Sequence, residues 1–122
     1  MPTAPIKNLP NHLKQGNAAE SLAATFLQQS GLTLLEKNFR CKHGEIDLIM
    51  RDGKTLVFVE VRLRTNQNFG SAAMSINQSK QGKLTRTAEH YLQIHGNSAC
   101  RFDAVLMQSI DINAVEWIKN AF

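Results

Sequence analysis

The stretch that decides the fold runs from Gly44 to Arg64, GEIDLIMRDGKTLVFVEVRLR. Two apolar runs, Glu45 to Met50 and Thr55 to Arg62, flank Asp52-Gly53, and an Asp-Gly between hydrophobic runs is a strong short-range hairpin signal. Side chains alternate faces along a strand, so Glu45, Asp47 and Ile49 share one face of the first strand. On the second strand Leu56, Phe58, Glu60 and Arg62 share a face, while Val57, Val59 and Val61 point the other way. A symmetric loop centred on Asp52-Gly53 sets Glu45 opposite Glu60 and Asp47 opposite Phe58. Asp47 and Glu60 are then diagonal neighbours, about 7–8 Å apart at the backbone and closer at the carboxylates.

Three acids and one arginine therefore crowd one patch of an otherwise apolar hairpin. Like charges on adjacent strands are destabilising without a cation between them. Two readings of the patch stand side by side. One is a solvated sheet face with incidental ion pairs of the Glu45–Arg62 and Asp47–Arg51 kind. The other is a carboxylate-rich Mg²⁺ site, because hard divalent cations take oxygen ligands, usually one or two carboxylates plus substrate phosphate.

Upstream of the hairpin, residues 1–14 read as a flexible leader, and residues 15–122 as a single domain. From Gly16 to Ser30 the pattern is helical: Ala19, Leu22, Ala23, Phe26 and Leu27 recur at three- and four-residue spacing, and Gly31 stops the helix. Glu20 borders that apolar face, as a first-turn partner of the helix dipole or as a group turned inward toward a site. Leu32 to Arg40 reads as a strand, with Leu34, Glu36 and Asn38 alternating against Leu35, Lys37 and Phe39, and Cys41–Gly44 as the turn into the hairpin.

Downstream, the polar run TNQNFGS (65–71) suits a surface loop or a mobile flap beside a site. A second helix is expected from Ser75 or Asn77 to His95, stopped by Gly96-Asn97, with Leu84, Ala88, Tyr91, Leu92 and His95 as its apolar stripe. Lys80, Lys83 and Arg86 recur every three residues, with His90 next, giving this helix a basic face that can reach phosphates near its first turn. Gly82 weakens the helix by roughly 1 kcal/mol against Ala, which suggests a close backbone approach there. The chain closes with strand-like Arg101 to Met107, Ile110 to Ile112, and Ala114 to Ile118, with Arg101–Asp103 as a structural same-face pair. The order is helix, three strands, helix, then two or three strands: an α/β fold with a mixed sheet and the second helix as a crossover.

Composition narrows the class. A chain of 122 residues with 43% hydrophobic and 20% charged residues is ordinary for a globular domain with one core. The net charge of +4 is a mild bias toward polyanionic partners. No apolar run is long enough to span a membrane, and the proline-bearing N-terminus lacks a secretory h-region, so the cytoplasm is the expected location. Cys41 and Cys100 have no paired spacing and read as free thiols. His12, His43, His90 and His95 show no metal-ligand spacing, and there is no Gly-rich phosphate loop or Ser-His-Asp arrangement.

The runs GNAAESLAATFLQQSG, NFRCKHGEIDLI, LVFVEVRLR, KQGKL, RFDAVLM and EWIKNAF resemble, in order and spacing over residues 16–122, the YraN family of uncharacterised bacterial proteins. That family in turn resembles the PD-(D/E)xK restriction-endonuclease-like superfamily, including archaeal Holliday junction resolvases and RecB-type nuclease domains. The resemblance implies a restriction-endonuclease-like core, α-β-β-β-α-β, with a central mixed sheet flanked by helices.

Carried over by position, Glu20 is the helix acid, Asp47 the Asp before the hairpin turn, and Glu60 the acid of the (D/E)xK element, with Arg62 at the Lys position. The resemblance implies Mg²⁺ or Mn²⁺ on Asp47 and Glu60, with Glu20 and the Val61 carbonyl as further ligands, and DNA as partner. It also implies a homodimer as one assembly, since junction resolvases cut paired strands as dimers. An arginine stays protonated and cannot serve as a base. Arg62 is then a charge stabiliser, or Lys80 or Lys83 replaces the missing lysine, or the domain binds nucleic acid or a protein partner without cutting.

Overall fold

The computed structural model describes residues 11–63 and 77–122, and side chains from residue 17 onward. Its elements are α1 (Asn11–Gln29), β1 (Thr33–Cys41), β2 (Gly44–Asp52), β3 (Thr55–Leu63), α2 (Gln78–His95), β4 (Cys100–Met107), a 3-10 turn (Ile112–Ala114) and β5 (Val115–Ile118). The strands form one sheet in the order β1-β2-β3-β4-β5. All neighbours are antiparallel except β3 and β4, which run parallel through the α2 crossover. This is the α/β mixed sheet expected from the sequence, with β5 added to a restriction-endonuclease-like core. The expected leader overlaps the start of α1, which begins at Asn11; residues 1–10 and the TNQNFGS loop lie outside the described residues.

The helices cover opposite faces. Ala19, Ala23, Ala24 and Leu27 of α1 pack on Leu48, Met50, Val57, Val59, Val105 and Met107. The valine face of β3 therefore packs under α1, with Val57 and Val59 buried and Val61 half-buried. Leu84, Ala88 and Tyr91 of α2 pack on Phe39, Ile46, Ile49, Phe58, Ala104 and Leu106. His95, expected in the apolar stripe, is exposed and stacks on the Tyr91 ring with centroids 4.1 Å apart. Helix ends follow the sequence. Asn77 caps α2 by accepting from the Lys80 amide at 2.9 Å, and Gly96 closes it by donating to the Leu92 carbonyl at 2.7 Å. Among the described residues no helix is long and apolar enough to cross a membrane.

Three corrections to the sequence expectations matter for the site. The hairpin pairs Asp52 with Thr55 and Ile49 with Phe58, two positions away from the expected register. The loop is Gly53-Lys54, with Gly53 at φ +62°, because the favoured two-residue turn with one left-handed residue needs glycine first. Second, β1 does not alternate cleanly: its register slips between Leu34 and Glu36, and Asn38 adopts φ +55° within the strand. Third, the close approach assigned to Gly82 belongs to Gly44. Only the Arg86 guanidinium comes within 4 Å of a Cβ built at Gly82. A Cβ at Gly44, which sits at φ +152°, would meet Thr87 Oγ1 at 3.2 Å and Lys83 Cβ at 3.8 Å. Gly44→Ala is expected to lower stability by about 1–3 kcal/mol in urea unfolding, combining backbone strain with this contact.

Residues Ile110 to Ile112, expected as strand, instead lead into the 3-10 turn, where Asp111 accepts from the Asn113 amide at 2.9 Å. The C-terminal segment is held by Asp103, which is fully buried. Its carboxylate accepts from Arg101 Nε at 3.0 and 3.2 Å, from Trp117 Nε1 at 2.9 Å and from the Asn120 amide at 3.0 Å. Arg101 also donates to Asp52 at 3.0 Å, tying β4 to the hairpin. The Arg101–Asp103 pair is structural, as expected, but anchors more of the chain than the sequence indicates.

Candidate functional site

Asp47, Glu60 and Glu20 meet where β2 and β3 stop pairing. The ladder between these strands runs to Leu48 opposite Val59. Beyond it, Asp47 replaces a backbone acceptor with its side chain: Oδ2 takes the Val61 amide at 2.8 Å. Across β1, Asn38 faces Asp47, between the pairs Lys37–Leu48 and Phe39–Ile46. The strand rotates here. Ile46 and Leu48, two residues apart and so expected on one face, belong to the α2-side and α1-side cores respectively. Asp47 consequently lies at the seam between both faces, within hydrogen-bond reach of Glu60 and of Glu20 from α1, and Glu20 also reaches Asn38. Asn38 is the site residue that the sequence pattern did not single out. The available signal was an Asn inside a strand, a residue type tolerant of left-handed backbone.

The electrostatics follow from this crowding. Burial pushes the Asp47 carboxyl up to about 9, reinforced by its hydrogen bond to Glu60 and that group's negative charge, against the opposing pull of the Val61 amide. Burial also raises Glu20, against its hydrogen bonds to Asp47 and Asn38. Burial acts on Glu60 in the same sense, but hydrogen bonds from Asp47 and Lys80 and the charges of Lys80 and Arg62 outweigh it, leaving Glu60 below the usual carboxylate range. Of the two neighbouring acids, Asp47 is therefore the one whose neutral form is favoured and Glu60 the one whose charged form is favoured.

Two cations approach Glu60, whose side chain is only 6% exposed: Lys80 Nζ lies 2.7 Å and Arg62 Nη2 3.2 Å from Oε2. Both contacts are ion pairs, and the buried Arg62 Nε has no hydrogen-bond partner. Lys80 sits in the first turn of α2, where the helix dipole disfavours a cation, and its position is set instead by Glu60. Lys80, Lys83, Leu84, Gly44, Glu45, Asp47 and Glu60 line a cavity of about 200 Å³.

Of the expected site residues, the structure brings Glu20, Asp47, Glu60, Arg62 and Lys80 together, with Lys83 on the cavity wall. Arg86 does not reach this cavity and lines a neighbouring one. The expected Glu45–Arg62 and Asp47–Arg51 pairings are absent: Glu45 pairs across to Arg40 at 2.8 Å, as the β1–β2 register requires. Cys41 and Cys100 are free thiols. Among the described residues no group of three or more His, Cys, Asp or Glu side chains is placed to hold a metal ion.

Comparison with known proteins matches residues 19–107 to the model of the uncharacterised protein family UPF0102. A UPF0102 protein of Nitrosomonas europaea is 60% identical over 109 residues, covering 88% of this chain and 92% of the relative. One of Neisseria gonorrhoeae is 52% identical over 112 residues (90% and 95%), and one of Methylobacillus flagellatus 51% over 107 residues (88% and 95%). The matched span runs from α1 to the end of β4 and contains every residue of the acidic site, and on this extent of similarity the chain belongs to the UPF0102, YraN-like family.

Proposed function

We propose that this protein is a divalent-metal-dependent nuclease that hydrolyses phosphodiesters in DNA, with branched or otherwise structured DNA as its substrate class. The observation that carries the proposal is the convergence of carboxylates from α1, β2 and β3, with Asp47 and Glu60 lining one cavity and Lys80 and Arg62 set against Glu60. Burying like charges together is costly, and a fold gains nothing from it unless a cation or a reaction uses the site.

The donor set suits Mg²⁺ or Mn²⁺. Such ions take one or two carboxylates and leave their other positions to water and phosphate. Asp47 and Glu60, which line one cavity, would hold the ion, with Glu20 as an additional or water-mediated ligand. When bound, the cation supplies Lewis-acid charge to a scissile phosphate and lowers the pKa of water. The chain's own groups do the rest. Asp47 would have to give up its proton to hold the ion, and the Val61 amide, donating to Oδ2, fixes the orientation of its carboxylate. Arg62, permanently charged, adds positive charge beside Glu60 that stabilises the negative charge of the reacting phosphate. Lys80, held by Glu60, takes the role of the lysine in the PD-(D/E)xK resemblance, positioning the attacking water.

A second reading has one observation in its favour. Arg62 and Lys80 already neutralise Glu60, which suits a retired active site on a domain that binds nucleic acid or a protein partner without cutting. The deciding experiment is cleavage of duplex, single-stranded, flap and four-way-junction DNA with Mg²⁺, Mn²⁺ or EDTA. Metal-dependent cutting should fall by about 10²–10³-fold or more in Asp47→Ala and Glu60→Ala, and by about 10²-fold in Lys80→Ala. Cutting that survives both acid variants would sink the site assignment. Salt-sensitive DNA binding without cutting would leave the second reading.

A further inference from the structure

A second cavity, of about 280 Å³, lies beside the acidic one and is lined by His43, Arg86, Glu89, His90 and Gln93. Four of these come from α2 at the i, i+3, i+4, i+7 spacing of one helix face. The fifth comes from the β1–β2 turn, where the His43 amide donates to Cys41 Sγ at 3.4 Å. The two cavities share this turn as a partition: Gly44 lines one and His43 the other. Along α2 the centres of their lining residues differ by about seven positions. At 1.5 Å per residue that is about 10 Å, or about three base steps of a B-form strand.

The lining is wrong for a bare phosphate track, which would gather lysines and arginines. Here one permanent cation is matched by one carboxylate, with two imidazoles and an amide between them. Arg86 suits a phosphate, Glu89 accepts from an exocyclic amine, and Gln93 both donates and accepts, as base-edge recognition needs. The His90 ring offers a stacking surface backed by Phe39, with ring centroids 6.2 Å apart and planes tilted by 34°. The volume falls just below the usual range for small-molecule sites and has no room for a paired duplex.

We propose that this cavity receives one unpaired nucleotide of the DNA strand engaged at the Asp47–Glu60 site. The inference rests on the DNA-directed reading above and narrows its substrate class to DNA with an unpaired nucleotide about three steps from the reacting phosphate.

The test is fluorescence anisotropy of the full chain in EDTA, so that no cleavage is required. Three labelled DNAs are compared: a blunt duplex, the same duplex with a one-nucleotide bulge, and the same duplex with a single-stranded extension. Binding to the bulged and extended DNAs should be about tenfold tighter than to the blunt duplex. The ratio should fall to about one in His90→Ala and Gln93→Ala, and His90→Tyr, which keeps an aromatic plane, should retain it. Gln93 is exposed, so its variant tests the cavity even if His90→Ala unfolds. A wild-type ratio near one, a ratio that survives Gln93→Ala and His90→Ala, or tighter binding of RNA versions would overturn the proposal. A His90-dependent preference without cleavage would retain the cavity and remove the nuclease, whereas cleavage without the preference would do the reverse.

Discussion

Replacing Asp103 with alanine is expected to cost about 3–5 kcal/mol of stability, the magnitude seen when one partner of a buried ion pair is removed. Three donors lose their acceptor at once: Arg101 Nε, Trp117 Nε1 and the Asn120 amide. Arg101 retains Asp52, so its charge is not wholly stranded, but the Trp117 and Asn120 donors have no such alternative among the bonds described. A domain of this size has about 5–15 kcal/mol to lose, so the variant should unfold at markedly lower urea and lose order first at its C-terminus. Asp103→Asn keeps an acceptor oxygen of the same shape and should cost about 1–3 kcal/mol. An alanine variant as stable as the parent would show that the C-terminal strand is held by apolar contacts alone.

Substituting Asp47 by asparagine should have the opposite sign at alkaline pH. The folded state holds a proton on Asp47 up to about pH 9, whereas the unfolded chain releases it near 3.8. The stability of the metal-free protein therefore declines as pH rises between those values, by at most about 1.4 kcal/mol per unit. Glu20, also raised, contributes with the same sign. Glu60 is lowered, so its contribution is present above the unfolded value of 4.5 and is lost as pH falls through its folded value. Asparagine mimics the protonated acid, accepting from Val61 and donating to Glu60. The variant should hold its melting temperature between pH 5 and 9 and exceed the parent at pH 8. Mg²⁺ binding to the parent at pH 7 should release about one proton, read by calorimetry in buffers of different protonation enthalpy. The variant should release none and gain no thermal stabilisation from Mg²⁺. A parent profile that is flat from pH 5 to 9 would refute the raised Asp47 carboxyl.

Much of this arrangement was legible beforehand. Apolar spacing located both helices, Asn77 and Gly96 marked the ends of α2, and alternation assigned the two faces of β3 correctly. What escaped were features set by single backbone conformations. Asp52-Gly53 identifies a hairpin, but whether glycine stands first or second in the loop decides the register. Strict alternation also assumes that a strand keeps its rotation, and Asn38 breaks that assumption at the place where Asp47 must face both helices. The Lys80–Glu60 pairing was open among alternatives because it depends on how α2 docks, which α2's own sequence does not specify. Ile110 to Ile112 misled because two isoleucines flanking an acid mimic a strand, whereas Asp111 caps a turn.

The irregularity of β1 has a consequence beyond the site. An open sheet leaves unpaired amides and carbonyls along its outer strands, and these are templates for strand addition and aggregation. An incoming strand laid along β1 would meet the slip between Leu34 and Glu36 and then the left-handed Asn38, so its ladder would fail after a few residues. At the other margin β5 offers only four residues. The distortion that turns Asp47 into the seam thus also stops the sheet from growing into its neighbours.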